Sequence, residues 1–503
     1  MDRLMERERC LLMVDGIKLA QPATLAGFGC GAIIIMLIIG GGAFELIALM
    51  VLGIVGTIIL RSPLVGLSML IIMIVSNLSP NLIAGFGAPS VAKLAVPCLM
   101  TLLILRYVLW GDLPYVGWLS MWLLAGYVAF NLFGVTYAAD WRVTLGNSAD
   151  FTKVVIVSLI VLAFMQYRYG FETVVISSVV TTTMICFLGF IQVLGVELPS
   201  GIQLFSSFNE YHGRFEGPIG DANFFAVILV FNIPLALAQF LRSDKLYKVF
   251  CWGAAAALLL FGLLLTQSRG GILALCVALG ILFFQLSRRQ KLAAIVGFGI
   301  FLTSVSTFLG AEAFERLFTL VRLAETAQID QSAEGRLASF QVAWKIFITH
   351  PWGGVGSGNF NIHYQDVALQ SGLIFRGEGR SAHSLYLEVL AETGLVGLFL
   401  FLSILIVAAL GIIGAYRFAR AQGEDRLAMQ IAAFGAGLSG YMAGMALLHD
   451  AFPRFLWIMI VLSVEAERIM RLRLASDKKA QRHLGKLRLT HELRTGLGRR
   501  STG

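Results

Sequence analysis

Long apolar runs separated by short polar connections recur along the 503 residues, and within each run the apolar residues are continuous rather than alternating. Continuous runs of about 20 residues match the length of helix that crosses a bilayer, whereas alternation would point to barrel strands. About fourteen such runs are legible, beginning near residues 23, 44, 63, 91, 115, 152, 172, 222, 247, 270, 292, 394, 427 and 453. Several are short or closely paired, so the pattern predicts about 12–14 transmembrane helices. Two polar interruptions are longer than a tight turn, at 196–223 and at 310–383.

Composition agrees with this pattern. Hydrophobic residues make up 57% and charged residues 14%, with a mean hydropathy of +0.80; water-soluble domains carry about 25% charged residues. In lipid, backbone polar groups must be satisfied within the span, which leaves helices as the reading of continuous runs. The predicted fold class is therefore an all-α integral membrane protein with a large extramembrane loop containing short helices. Met1 to Gln21 mixes Arg with Glu, and no small-residue cleavage site follows the first apolar run, so that run is read as a retained anchor. The six cysteines lie in or near spans and imply neither a disulfide framework nor a metal knuckle.

Charge sets the expected orientation. Arg61, Arg106, Arg168, Arg242, Lys245, Arg288, Arg289, Lys291, Arg417, Arg420 and Arg426 fall on alternate connections, and a basic tail follows from Arg468. By the positive-inside rule these mark the cytosolic side. The division that results is a cytosolic N-terminus (1–22), helices over 23–309, an outer loop over 310–383, helices over 384–467 and a basic cytosolic tail over 468–503. The net charge of +9 is read as topology, with membrane lipids and not nucleic acid as the partner.

Within the long loop, Ala311 to Ala327 reads as one helix, and a second starts after Ser332 and ends at His350 before Pro351. On the second, Leu337, Phe340, Trp344, Phe347 and Ile348 share a side that either lies on the membrane, covers a site or packs on neighbouring helices. Gly353–Phe360 reads as structural turns; its glycines lack the strand and Lys of a phosphate loop.

Chemistry concentrates at the outer ends of helices, while the span centres hold almost no Asp, Glu, Lys or Arg. Ion-coupled carriers place such groups near the midplane, so surface chemistry is favoured over a flippase or exporter. Arg214, before the run at 222, and Arg269, between two runs, are both predicted on the outer side. Guanidinium pairs bind diphosphates through bidentate, charge-assisted contacts. Pairing with lipid phosphate or a loop carboxylate is the alternative. His383 stands at a helix mouth where a neutral imidazole can accept a proton, with His212, His350, His363 and His449 as competitors on location. Glu388 and Glu392 share a helix face and are read as solvating the helix entrance. No His or Cys pair has metal-ligand spacing, and no cofactor is expected.

Taken together, His383-Ser384-x-Tyr386-Leu387-Glu388 continuing through Glu392-Thr393-Gly394, the upstream Gly335-Arg336-Leu337 and His350-Pro351-Trp352-Gly353-Gly354, Gly213-Arg214-Phe215 leading to Asp221-Ala222-Asn223, and Thr266-Gln267-Ser268-Arg269-Gly270 resemble the O-antigen ligase and polymerase superfamily over residues 200–450. Ala222 stands where proline is common in that family. The resemblance implies a metal-independent, inverting enzyme of the bacterial inner membrane with a GT-C-like helical fold. It implies a glycan donor on undecaprenyl pyrophosphate, with Arg214 and Arg269 on the pyrophosphate and His383 as general base. Arg336 and Arg380 are further candidates for headgroup or sugar contacts. The acceptor it implies is lipid A-core for a ligase, which the two arginine motifs favour, a second lipid-linked repeat for a polymerase, or Ser/Thr of an exported protein.

Overall fold

The computed structural model describes residues 55–111, 117–165, 167–209, 213–292, 331–373, 380–450 and 453–474, with isolated positions between 295 and 303. Its helices, in chain order, are α1 Pro63–Val75, α2 Leu78–Phe86, α3 Val91–Trp110, α4 Trp118–Phe133, α5 Trp141–Phe164, α6 Gly170–Val193, α7 Ala222–Arg242, α8 Leu246–Leu265, α9 Arg269–Gln285, α10 Gln331–Thr349, α11 Phe360–Gln370, α12 Leu385–Ala421, α13 Asp425–Gly444 and α14 Arg454–Val464. Short strands, β1 Ser207–Phe208 and β2 Phe215–Gly217, form one antiparallel hairpin between α6 and α7.

The protein is an all-α integral membrane protein. Among the described residues seven helices are long and apolar enough to cross a membrane, or eight when Val55–Arg61 and α1, bent by 120°, count as one span. The runs expected from residues 23 and 44 begin outside the described residues, as does the helix expected over Ala311–Ala327, and that near 292 is described only in part. Two expected starts shift. The span expected from 152 starts at Trp141, because Asp140 accepts the backbone N–H groups of Arg142 and Val143 and caps the helix there. The span expected from 394 starts at Leu385, with Ser384 as N-cap. Its 37 residues would make about 55 Å of straight helix, beyond the roughly 30 Å of hydrocarbon to be crossed.

The excess is taken up by a break at Gly394 (φ 62°, ψ −163°). The loop after α10 repairs the interrupted ladder: Val355 and Gly356 donate N–H to the Ala391 and Glu392 carbonyls at 3.1 and 2.9 Å, while Leu395 and Val396 donate to Pro351 and Trp352 at 2.8 and 3.4 Å. A Cβ on Gly394 would strike the Trp352 backbone, and one on Gly354 the Glu392 backbone. Glycine is required on both strands of this splice, since each also has positive φ. The turn reading of Gly353–Phe360 therefore holds, with the added role of completing a helix.

The core is aromatic and tightly set. Trp457 stacks on Tyr127 at 5.6 Å and meets Phe151 and Phe401 edge-on, and Phe231 packs edge-on against both Phe434 and Phe455. Small residues let α13 approach α7 and α9: a Cβ at Gly437 would meet the Phe231 backbone, and one at Gly440 would meet Val230 and Ala278. This is the packing expected where lipid gives helices no hydrophobic incentive to associate and close contact supplies the attraction. The two ends of the bundle differ. One carries Arg106 on the Leu60 carbonyl and Tyr167 hydroxyl, the Arg473–Glu172 and Arg426–Asp244 pairs and the Arg420–Asp425 contact. The other gathers the mouths of α5, α7, α9 and α12.

On α10, Val342, Ala343 and Ile346 form the buried side, packed in a small second core with Val355, Phe360, Tyr364, Ala382 and Ala391. Of the expected stripe, Phe340 and Phe347 are half-buried, while Leu337, Trp344 and Ile348 are exposed among the described residues. Gly440→Val is expected to cost about 1–3 kcal/mol through overpacking, lowering the unfolding midpoint in detergent. Gly280→Ala, whose Cβ meets nothing, leaves that midpoint unchanged or raises it.

Candidate active site

Arg214 is positioned by what its neighbours bury. Phe215 lies between Phe208 and Phe225, at 4.8 and 5.3 Å between ring centroids, and reaches α6 where Gly189 has no side chain to obstruct it. Asn77 and Asn81 donate side-chain hydrogen bonds to the Pro218 carbonyl at 3.1 and 3.0 Å, tying down the rest of the loop. The loop ends at Asp221, whose carboxylate accepts the Asn223 and Phe224 N–H groups and starts α7.

Asn223 then joins two segments distant in sequence. Its Oδ1 accepts from Arg214 Nη2 at 3.0 Å and from the Ser268 hydroxyl at 2.9 Å. Arg214 Nε donates to the Thr266 carbonyl at 2.9 Å. Both acceptors of Arg214 in these bonds are uncharged, so the bonds orient the guanidinium without neutralising it. The α8–α9 turn is tight: Gln267 adopts φ 52°, and the Ser268 hydroxyl accepts the Gly271 N–H at 3.2 Å. Arg269 is the first residue of α9, at a helix end whose dipole favours anions. The two arginines of the sequence reading thus share one small construction through Asn223, Thr266 and Ser268.

His383 precedes the N-cap of α12 and takes a left-handed backbone, φ 50°, a conformation that costs about 1–2 kcal/mol for a residue with a Cβ. Its ring meets that of His449 at 5.4 Å, nearly perpendicular, and His449 in turn meets Phe224 on the first turn of α7 at 5.5 Å. His449 Nδ1 is buried without a hydrogen-bond partner among the described residues. A charged imidazolium would strand a donor there, which disfavours the charged form of His449. Burial is the first cause that pushes His383 down to about 4, followed by His449, Arg336 and Arg380, with Asp221 opposing. Burial also lowers His449, against Asp450 and Asp221. Arg336 and Arg380 favour the neutral ring, but burial is the larger effect.

The sequence reading of Glu388 and Glu392 requires correction. Glu392 is buried and accepts the Phe360 N–H at 3.2 Å; Glu388 accepts the Asp450 N–H at 2.7 Å, where Asp450 has φ 87°. These carboxylates hold backbone rather than solvate the helix entrance, and Glu388 thereby fixes the link that carries His449. His350 and His363 lie 6.2 Å from each other, and His212 is outside the described residues. Among the described residues no group of three or more His, Cys, Asp or Glu side chains is placed to hold a metal ion.

The residues brought to the α7 cap are therefore Arg214 and Arg269 through Asn223 on one side, and His383 through His449 and Phe224 on the other, with Arg336 and Arg380 close enough to act on His383. His449 and Asn223 are the members whose roles sequence reasoning did not assign; the available signal was only that each lies on an outer connection. Residues 254–402 match a family model described as O-antigen ligase. This stretch is similar to the O-antigen ligase family. It contains Arg269, Arg336, Arg380 and His383, while Arg214 and His449 lie outside it and join the site through the fold. The family implies a glycan-transferring enzyme. A search of curated proteins found no match.

Imidazole NMR of the labelled protein is expected to find His383 neutral down to about pH 4. Arg336→Gln removes a neighbouring positive charge and moves that midpoint upward, toward the ordinary value of about 6.5. An unchanged midpoint would mean that Arg336 does not act on the ring.

Proposed function

We propose that this protein is an O-antigen ligase-like transferase that moves a glycan from undecaprenyl pyrophosphate to an acceptor hydroxyl, with lipid A-core as the acceptor. In this reading neutral His383 accepts the hydroxyl proton as the acceptor oxygen attacks the anomeric carbon. The bond from that carbon to the pyrophosphate oxygen breaks on the opposite face, so the configuration inverts. The bonding electrons leave with the pyrophosphate, whose growing charge Arg214 and Arg269 stabilise in the place a divalent metal would otherwise take. Arg336 and Arg380 contribute headgroup or sugar contacts while discouraging protonation of the base. The helical architecture is then of GT-C-like type.

The observation that carries the reading is the meeting at the α7 cap of an arginine pair, bound into one turn through Asn223 and Thr266, with a neutral histidine. A base and an anion clamp gathered at one helix N-terminus suit a displacement in which a proton leaves one partner and negative charge grows on the other. Basic residues at the opposite end support a cytosolic position for that end, and hence a periplasmic site in the bacterial inner membrane.

The test uses purified protein in lipid with an undecaprenyl-pyrophosphate glycan and three acceptors: lipid A-core, a second lipid-linked repeat and a periplasmic glycoprotein. Mass spectrometry identifies the acceptor consumed, which names the ligase, polymerase or protein-transferase branch. His383→Ala is expected to lower turnover roughly 10²–10⁴-fold, and Arg214→Ala about 10²–10³-fold. Full activity of a folded His383→Ala protein would sink the assignment of the base. An intact donor after transfer across the membrane would instead identify a carrier.

A further inference from the structure

Among the described residues, α10 presents an apolar edge that is left exposed. Leu337, Trp344 and Ile348 stand at spacings of seven and four residues, on one face, opposite the buried Val342, Ala343 and Ile346. Three residues past the end of the helix, Trp352 is 71% exposed. Its position along the membrane axis is fixed: the Trp352 carbonyl accepts the Val396 N–H, and the Pro351 carbonyl accepts that of Leu395, on α12 just past its break. Leu395, Val396 and Phe399 are themselves exposed on this spanning helix, Phe399 at 71%. A span surface of that kind faces lipid.

Other aromatic groups stand at the same place. The Tyr137 hydroxyl donates to the Gly353 carbonyl at 2.7 Å, beside exposed Phe133. Tryptophan and tyrosine collect where a membrane meets water because one end of each ring is apolar and the other polar. Lys345, exposed on the next position of α10, adds a group suited to headgroup phosphate. We propose that the Leu337–Trp344–Ile348 edge of α10 and Trp352 form a lipid seat, embedded in the interfacial layer of the leaflet on the side of the candidate active site. Its partner is the bilayer itself, reached because the edge is continuous with the lipid-facing surface of α12. The same helix carries Arg336, so the seat also fixes the depth of a charge that acts on His383.

The test is independent of any reaction. Full-length protein is placed in phosphatidylethanolamine–phosphatidylglycerol vesicles, with phospholipid brominated near the headgroup or near the chain end. The emission of Trp344 and Trp352 is obtained as the difference between wild type and the Trp344→Phe/Trp352→Phe variant, a pair of changes that keeps an aromatic ring at each position. The expected result is loss of most of that difference emission with bromine near the headgroup, less loss with bromine at the chain end, and little loss with aqueous acrylamide. Quenching by acrylamide but not by brominated lipid would place the edge in water and overturn the proposal. Protection from both quenchers would mean that protein covers it, either another segment or a second copy, and would equally overturn it. An unchanged unfolding midpoint for the double variant keeps the subtraction valid, and Ile348→Trp in that background supplies a second reporter on the same edge.

Discussion

A helix that enters a membrane cannot leave its backbone groups unpaired, and the break at Gly394, ten residues into α12, interrupts the helix's own pairing. The structure depends on how that debt is met. Residues 351–356 lie against the break and exchange hydrogen bonds with it in both directions, so a loop and a helix become one ladder. The contact is close enough that neither Gly354 nor Gly394 has room for a side chain. Because the ladder is shared, the orientation of the first turns of α12 is set by the loop, and the loop is set by α12.

From that splice the rest of the site end follows. Asn359 continues the attachment outward, donating to the Thr144 hydroxyl at 2.7 Å and accepting the Asp140 N–H at 2.8 Å, which ties the loop to the mouth of α5. Glu392 holds the start of α11 and Glu388 holds the link bearing His449. Both carboxylates act on backbone N–H groups, a use that hydropathy cannot distinguish from solvation. His383 thereby sits at the end of an element whose direction is determined about two to three turns farther in, and its strained backbone is retained because the surroundings over-determine it.

On the opposite side of the α7 cap, the order is reversed: a short hairpin and a tight turn, both anchored by buried aromatic rings and Asn223, hold two arginines near a helix N-terminus. One helix end thus carries two chemically different groups, a hydrogen-bonded guanidinium and a half-buried imidazole. Desolvation works in favour of both. It strengthens the field of the guanidinium groups and disfavours a charge on His383.

The sequence by itself determined the membrane class, the helical character of the spans and the segments in which candidate site residues gather. Those properties depend on local hydrophobic runs and on residues adjacent in the chain, as in Thr266–Gly270 and His383–Glu388. It also indicated Arg214, Arg269 and His383 as candidates, because each is polar at a helix mouth. Hydropathy alone began this run only near 394, since Glu388 and Glu392 interrupt it, whereas the boundary at 384 and His383 at a helix mouth agree with the start of α12 at Leu385. Only the tertiary structure decided that His449 faces His383, that Asn223 links Arg214 to Ser268, and that Leu337, Trp344 and Ile348 of the α10 stripe are exposed. The physical reason is the same in each case: a side chain's partner across space is fixed by packing and by the demand that buried polar groups be bonded, and neither is recorded in the order of residues along one segment.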